Sequence, residues 1–257
     1  MEINRELVKE VFQNYTDAYD SSDEKIRLKI AHTYRVAGLC ERIARAEGMA
    51  EEDVSLAWLL GMLHDVGRFE QLRRYGTFLD ARSVNHAALG ADILFSDGKI
   101  RDYLADAQED VRIETAIRLH NVYRLPEHLD ARTERLANVL RDADKIDILR
   151  VNVEVPMEEI LDVTTDQLRC CEVSGEVMES FFTHSATLWS IRHTAADHVV
   201  GYISLVFELV FPESFCITAE QGYLNRLLHF ESRNPKTREQ FAVLREEMEC
   251  YLGMRKR

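Results

Sequence analysis

The sequence predicts an all-α fold, a helical bundle with additional helices towards its C-terminus. Two observations carry this. Only 4 prolines and 11 glycines occur in 257 residues, too few for the many turns of an all-β chain. Apolar residues instead recur at spacings of three and four through most of the sequence.

Asn4 to Tyr19 forms one amphipathic segment. Ser21 with Glu24 three residues on resembles a capping box and predicts a second helix that runs to Gly48. A third helix is expected over about Glu51–Asp65, stopped at Gly67. A fourth is expected over Ser83–Phe95, a fifth over Glu109–His120 and a sixth over Ala131–Leu149. Val151-Asn152-Val153-Glu154-Val155-Pro156 alternates like a strand and reads as an extended connector. Further helices are expected near 157–170, 173–188, 195–210, 218–230 and 236–252. The connector gives the boundary: a core over 1–150 and a C-terminal helical extension over 151–257. The extension reads equally as a second lobe or as part of the same domain.

With 46% hydrophobic and 30% charged residues and no low-complexity tract, the chain can bury one large core or two modest ones. Its 32 Lys and Arg against 45 Asp and Glu give a net charge of −13. That field repels phosphate backbones and argues against extended nucleic acid as a partner. A phosphorylated small molecule would need local cations. No apolar leader opens the sequence, and the stretch Val199–Phe211 is too short to span a bilayer and is broken by Glu208. Five cysteines without metal-type spacing read as free thiols. The expectation is a cytoplasmic protein without membrane contact, monomeric or homodimeric.

The chemistry lies in where histidines and aspartates fall on the helices. Leu28, His32, Val36, Leu39 and Ile43 share one stripe. Ile113, Ala116, Ile117 and His120 form another, as do His86, Leu89, Gly90 and Ile93, and Leu136, Leu140 and Asp144. An almost wholly apolar helix ends in His64-Asp65. Five helices thus aim a His or Asp inward. One inward histidine is ordinarily a core residue with one hydrogen bond. Six such groups are hard to satisfy without a metal. Imidazole nitrogen and carboxylate oxygen suit Mn, Fe, Co, Ni or Zn, and carboxylate-rich positions also admit Mg. Asp65, next to His64, is placed to bridge two ions.

His32, His64-Asp65 and Asp144 within Asp142-Ala143-Asp144-Lys145 together resemble the H…HD…D signature of the HD-domain metal-dependent phosphohydrolases, over about residues 20–150. That resemblance implies a helical fold with a divalent metal on His32, His64, Asp65 and Asp144. His86-Ala87-Ala88-Leu89-Gly90-Ala91-Asp92-Ile93-Leu94 is similar to an H-x-x-x-G-x-x-I-L segment of the binuclear HD-GYP branch. His120-Asn121 falls where that branch has a His-His pair, and Arg68 where it has a phosphate-binding lysine. Asn121 replaces the second histidine, and Val122-Tyr123-Arg124-Leu125-Pro126 has no Gly-Tyr-Pro loop. The resemblance therefore implies a second metal at Asp65, His86 and His120 but not a cyclic dinucleotide substrate, and one ion or two stays open.

A bound divalent ion lowers the pKa of its water from about 15.7 to roughly 7. Positive charge then stabilises the phosphoryl oxygens during in-line attack. Asp65 and Arg68 are the expected catalytic residues, and Arg68, Arg35 and Lys145 the expected phosphate contacts. For Arg35 and Lys145, an ordinary surface ion pair is an equally good reading. Asp142 and Asp147 flank Asp144, but the stripe favours Asp144. The other histidines (His128, His184, His193, His198 and His229) read as surface or singly bonded groups. The cluster Arg68, Arg73, Arg74 with Tyr75 and Phe78 reads as a solvated face or a pocket mouth. Asp80 and Arg82 have no clear role. The sequence supports a phosphohydrolase of a nucleotide or another small phosphorylated metabolite, against a metal- or nucleotide-binding sensor as the alternative.

Overall fold

The computed structural model describes residues 3–255. Every regular element among them is helical, in agreement with the all-α expectation. The chain divides into two compact units, Met1–Asp144 and Lys145–Arg257, and the division falls inside one long helix.

The first unit holds α1 (Arg5–Thr16), α2 (Glu24–Ala46), α3 (Glu51–Leu63), α4 (Val66–Tyr75), α5 (His86–Ala91), α6 (Ile100–Tyr103), α7 (Asp110–Leu119) and the first part of α8 (Ala131–Glu154). Asn4 caps α1 by accepting from Leu7 N–H, and α1 buries Val8, Phe12 and Thr16. The cap of α2 is not Ser21 but Asp23, whose side chain accepts from Lys25 N–H at 2.8 Å. Asp23 directly precedes the first helical residue, whereas Ser21 lies in the turn before it. Gly48, at φ +63°, follows the end of α2 as expected.

Helix α3 has no polar face after its first turn because it is buried all round, from Leu56 to Leu63. It packs on α2, and Gly61 permits the approach: a Cβ there would lie 2.5 Å from Ala37 Cα.

The expected stop at Gly67 is corrected. Only His64 and Asp65 separate α3 from α4, and Gly67 sits in the first turn of α4. A Cβ at Gly67 would lie 2.2 Å from the His86 carbonyl oxygen and 2.6 Å from Gly90 N. This glycine is a packing residue between α4 and α5. The stop is Gly76, at φ +68°.

The fourth expected helix is shorter than predicted. It starts at His86 behind an Asn85 cap and passes into a wide π-type turn over Asp92–Ser96. The connector expected at 151–156 is also corrected, since α8 continues to Glu154. Asn152 Nδ2 donates to Ile148 O at 2.8 Å, and Arg150 pairs with Glu154 one turn on at 2.8 Å. These i to i+4 links hold the valines in a helix despite their alternation.

The second unit holds the rest of α8, then α9 (Met157–Leu161), α10 (Thr165–Cys170), α11 (Gly175–Phe181), α12 (Ala195–Ile203), α13 (Pro212–Gln221), α14 (Tyr223–Leu228) and α15 (Pro235–Arg255). The single helix expected over 157–170 is broken where Asp162 takes φ +54°. Phe207 stacks edge-on against Phe181 and Tyr251 in the core. Buried Asp197 ties loops together by accepting from the N–H groups of Ser174, His193 and Thr194. Three histidines of this unit have local roles: His184 pairs with Glu247 at 2.6 Å, His229 Nδ1 donates to Asn225 O, and His198 packs on Trp189.

Candidate metal centre

The first unit brings the six singled-out side chains together. His32 comes from the middle of α2, His64 and Asp65 from the α3–α4 junction, and His86 opens α5. His120 closes α7, and Asp144 lies on α8. His32, His64, Asp65, His86 and His120 are buried; Asp144 retains 15% of its side-chain exposure.

They form two groups joined by one carboxylate. In the first, His32 Nε2 lies 3.4 Å from His64 Nε2 and 3.5 Å from Asp65 Oδ2. Asp144 Oδ1 is 3.2 Å from His32 Nε2 and 3.8 Å from His64 Nε2. In the second, His86 Nε2 lies 3.0 Å from His120 Nε2 and 3.5 Å from Asp65 Oδ1. His120 Nε2 is 3.9 Å from the same oxygen. Each triad keeps its donor atoms within 4.8 Å of one another. Asp65 turns one oxygen to each.

The backbone fixes which ring nitrogens are bare. His64 Nδ1 lies 2.8 Å from Gly61 O, and His120 Nδ1 lies 2.7 Å from Ile117 O. A carbonyl can only accept, so each Nδ1 carries the proton and each Nε2 presents a lone pair. His86 Nδ1 lies 2.7 Å from Asp80 Oδ2 and donates to that carboxylate. The Nε2 atoms of His86 and His120 thus face each other as two acceptors.

A cation between them would resolve this clash. At metal–nitrogen bonds of about 2.0–2.1 Å, ligands at 90° lie roughly 3.0 Å apart and tetrahedral ligands roughly 3.4 Å apart. The two Nε2–Nε2 separations match those values, so the donor set fits a divalent ion in each group.

The electrostatics favour the same state. Burial, with Arg68 close by, lowers the His86 pKa to about 4 against the pull of Asp80. Burial and neighbouring His64 take His120 to about 4. Burial also lowers His64. All three imidazoles are neutral at pH 7, the ligating form. Burial would raise the carboxyl of Asp65, but Lys29, His64 and Arg68 outweigh it and hold it well below the usual carboxylate range. Asp144 is likewise held low, with the His32 hydrogen bond and nearby His64 outweighing burial.

The cations are placed unevenly. Arg68 Nε stands 3.6 Å from Asp65 Oδ1, while its NH1 donates to Asp80 Oδ1 (2.9 Å), Gln71 Oε1 (2.8 Å) and the Phe78 carbonyl. Arg35 is half-buried one turn beyond His32 on α2. Lys145 is buried directly after Asp144 on α8 and falls in the second unit. Arg73 and Arg74 are exposed and both pair with Glu70 on a solvated face, whereas Arg68 and Phe78 of the same cluster lie at the site, the Phe78 ring 5.6 Å from Lys29 Nζ. Sequence reasoning missed Lys29, whose Nζ lies 2.7 Å from Asp65 Oδ2. Its only signal is its place three residues before His32 on one helix face.

A helical core that gathers two His/Asp triads on a shared aspartate defines a helical domain whose buried donors could hold metal ions. Residues 30–149, a little under half of the chain, match the HD domain family. HD domains bind divalent metals and are generally metal-dependent hydrolases. No curated protein and no solved structure matches the chain.

Proposed function

We propose that this protein is a metal-dependent phosphohydrolase that cleaves a phosphate ester of a nucleotide or another small phosphorylated metabolite in the cytoplasm. It would hold two divalent ions, drawn from Mn, Fe, Co, Ni, Zn and Mg. One would sit on His32, His64, Asp65 and Asp144, the other on Asp65, His86 and His120. The observation that supports this best is the pair of bare Nε2 atoms on His86 and His120, 3.0 Å apart in a buried site.

A divalent ion bound there supplies Lewis acidity at phosphoryl oxygens and lowers the pKa of nearby water. The chain does the rest. Asp65 bridges the two groups and fixes their spacing. Arg68 and Lys29, both within reach of Asp65, offset charge on the phosphoryl oxygens as attack proceeds. This local positive charge works against the acidic net field of the chain. Asp144, at 15% the most exposed side chain of the six, would mark the side from which substrate approaches.

The test is a hydrolysis screen over nucleoside mono-, di- and triphosphates and sugar phosphates. Chelator-stripped chain would be reloaded with each of the six metals, with His64→Ala as control. Metal-dependent release of phosphate or pyrophosphate, lost in the control, is expected. Metal and nucleotide binding without turnover on any substrate would overturn the enzyme reading in favour of a sensor.

A further inference from the structure

Asp80, in the short turn between α4 and α5, belongs to neither triad, yet donors converge on both of its oxygens. Oδ2 accepts from His86 Nδ1 at 2.7 Å, from His86 N–H at 3.4 Å and from Asn121 Nδ2 at 3.3 Å. Oδ1 accepts from Arg68 NH1 and from Gln71 Nε2, each at 2.9 Å. The Gln71 amide cannot reverse without loss, because its Oε1 takes Arg68 NH1 and its Nε2 also donates to Ser83 Oγ and Val84 O. Every group that faces Asp80 is therefore a donor.

We propose that Asp80 is a positioning residue that sets the second triad: it keeps the proton on His86 Nδ1, so that Nε2 is bare towards Asp65 and His120, and with its other oxygen it orients Arg68. The proposal rests on reading that triad as a metal site. It follows from donor and acceptor geometry, since only a group that accepts at both ends satisfies all five hydrogen bonds. An asparagine has the same shape but must turn its NH2 to one side. Turned to His86, it faces the Nδ1–H at short range and, at 3.4 and 3.3 Å, the His86 N–H and the Asn121 amide. The ring then relieves the clash by moving its proton to Nε2, the nitrogen that must coordinate. Turned the other way, it meets two donors, Arg68 and Gln71. Alanine removes the carboxylate but imposes no tautomer, because water can accept from Nδ1.

The experiment uses the full chain, 15N-labelled at histidine, as wild type, Asp80→Asn and Asp80→Ala. Long-range proton–nitrogen spectra of the metal-free protein at neutral pH read the His86 tautomer directly. The wild type is expected as the Nδ1–H form and Asp80→Asn as the Nε2–H form. Mn2+ is then titrated into each. The second ion is expected to bind about 10- to 100-fold more weakly in Asp80→Asn, with Asp80→Ala between it and wild type. The first ion should be unchanged in all three. An unaltered His86 tautomer in Asp80→Asn overturns the proposal, as does an asparagine variant that binds the second ion no more weakly than the alanine variant. If wild type takes up only one ion, the two-ion reading fails, while the tautomer spectra still decide the role of Asp80.

Discussion

Asp65 Oδ2 lies 3.5 Å from His32 Nε2, and Asp65 Oδ1 lies 3.5 Å from His86 Nε2. One carboxylate thus serves two histidine groups through opposite oxygens. This makes the metal count of single variants diagnostic. His32→Ala and His64→Ala should each lower the count from two ions per chain to one, as should His86→Ala and His120→Ala. Asp65→Ala should empty both groups. Inductively coupled plasma mass spectrometry of protein purified without chelator reads this directly. An Asp65 variant that keeps a full complement would show that the carboxylate is not the bridge.

Gly67 links the packing to that count. Its missing Cβ lets α4 pass within contact of the His86 backbone. Gly67→Ala should force the two helices apart, cost about 1–3 kcal/mol and weaken the second ion more than the first. Gly38→Ala is the control. A Cβ at Gly38 meets nothing within 4 Å, and its place inside α2 should make alanine stabilising by about 0.5–1 kcal/mol. Urea unfolding with parallel metal counts tests both. Equal effects at the two glycines would refute the packing role.

Part of this site was legible in the sequence and part was not, for physical reasons. His32, His86, His120 and Asp144 share stripes with apolar residues that face the core, so their inward direction follows from spacing. Asp80 has no such signal. It sits in a turn of three residues, and its partners come from α4, α5 and the residue after His120. Lys29 finds its partner 36 residues away. Helix α4 was hidden because a glycine after His-Asp reads as a stop, whereas Gly67 is there for close approach. At Val151 to Val155 local alternation suggested extended chain, but the side-chain links of Arg150 and Asn152 favour the helix.

The buried imidazoles predict acid sensitivity in the metal-free protein. His86 and His120 titrate near pH 4 in the fold and near 6.5 when unfolded. Between those values the unfolded chain binds more protons, so stability falls as pH drops from about 6.5 towards 4 and is fully present above that window. Each histidine accounts for about 3 kcal/mol at most. Urea midpoints of chelator-stripped protein should therefore fall steeply from pH 7 to pH 5, and less steeply in His120→Asn. A slope that the substitution leaves unchanged would place the effect elsewhere.

Lys29 separates metal binding from phosphate recognition. Its ammonium rests 2.7 Å from Asp65 Oδ2, the oxygen that also faces His32 and His64, so it competes with a cation for that atom. An ion on that carboxylate would displace the ammonium, 17% of whose side chain is already exposed. Lys29→Met keeps the length of the side chain and removes the charge. It should bind the first ion at least as tightly as wild type, because a competitor is gone. It should lose about 100- to 1,000-fold in kcat/KM on the best substrate of the screen, the scale of one lost oxyanion contact. Mn2+ titration and steady-state kinetics on the same preparations decide it. Weaker metal binding in Lys29→Met would mean that the lysine supports Asp65 and does not compete for it, and an unchanged kcat/KM would remove it from the phosphate site.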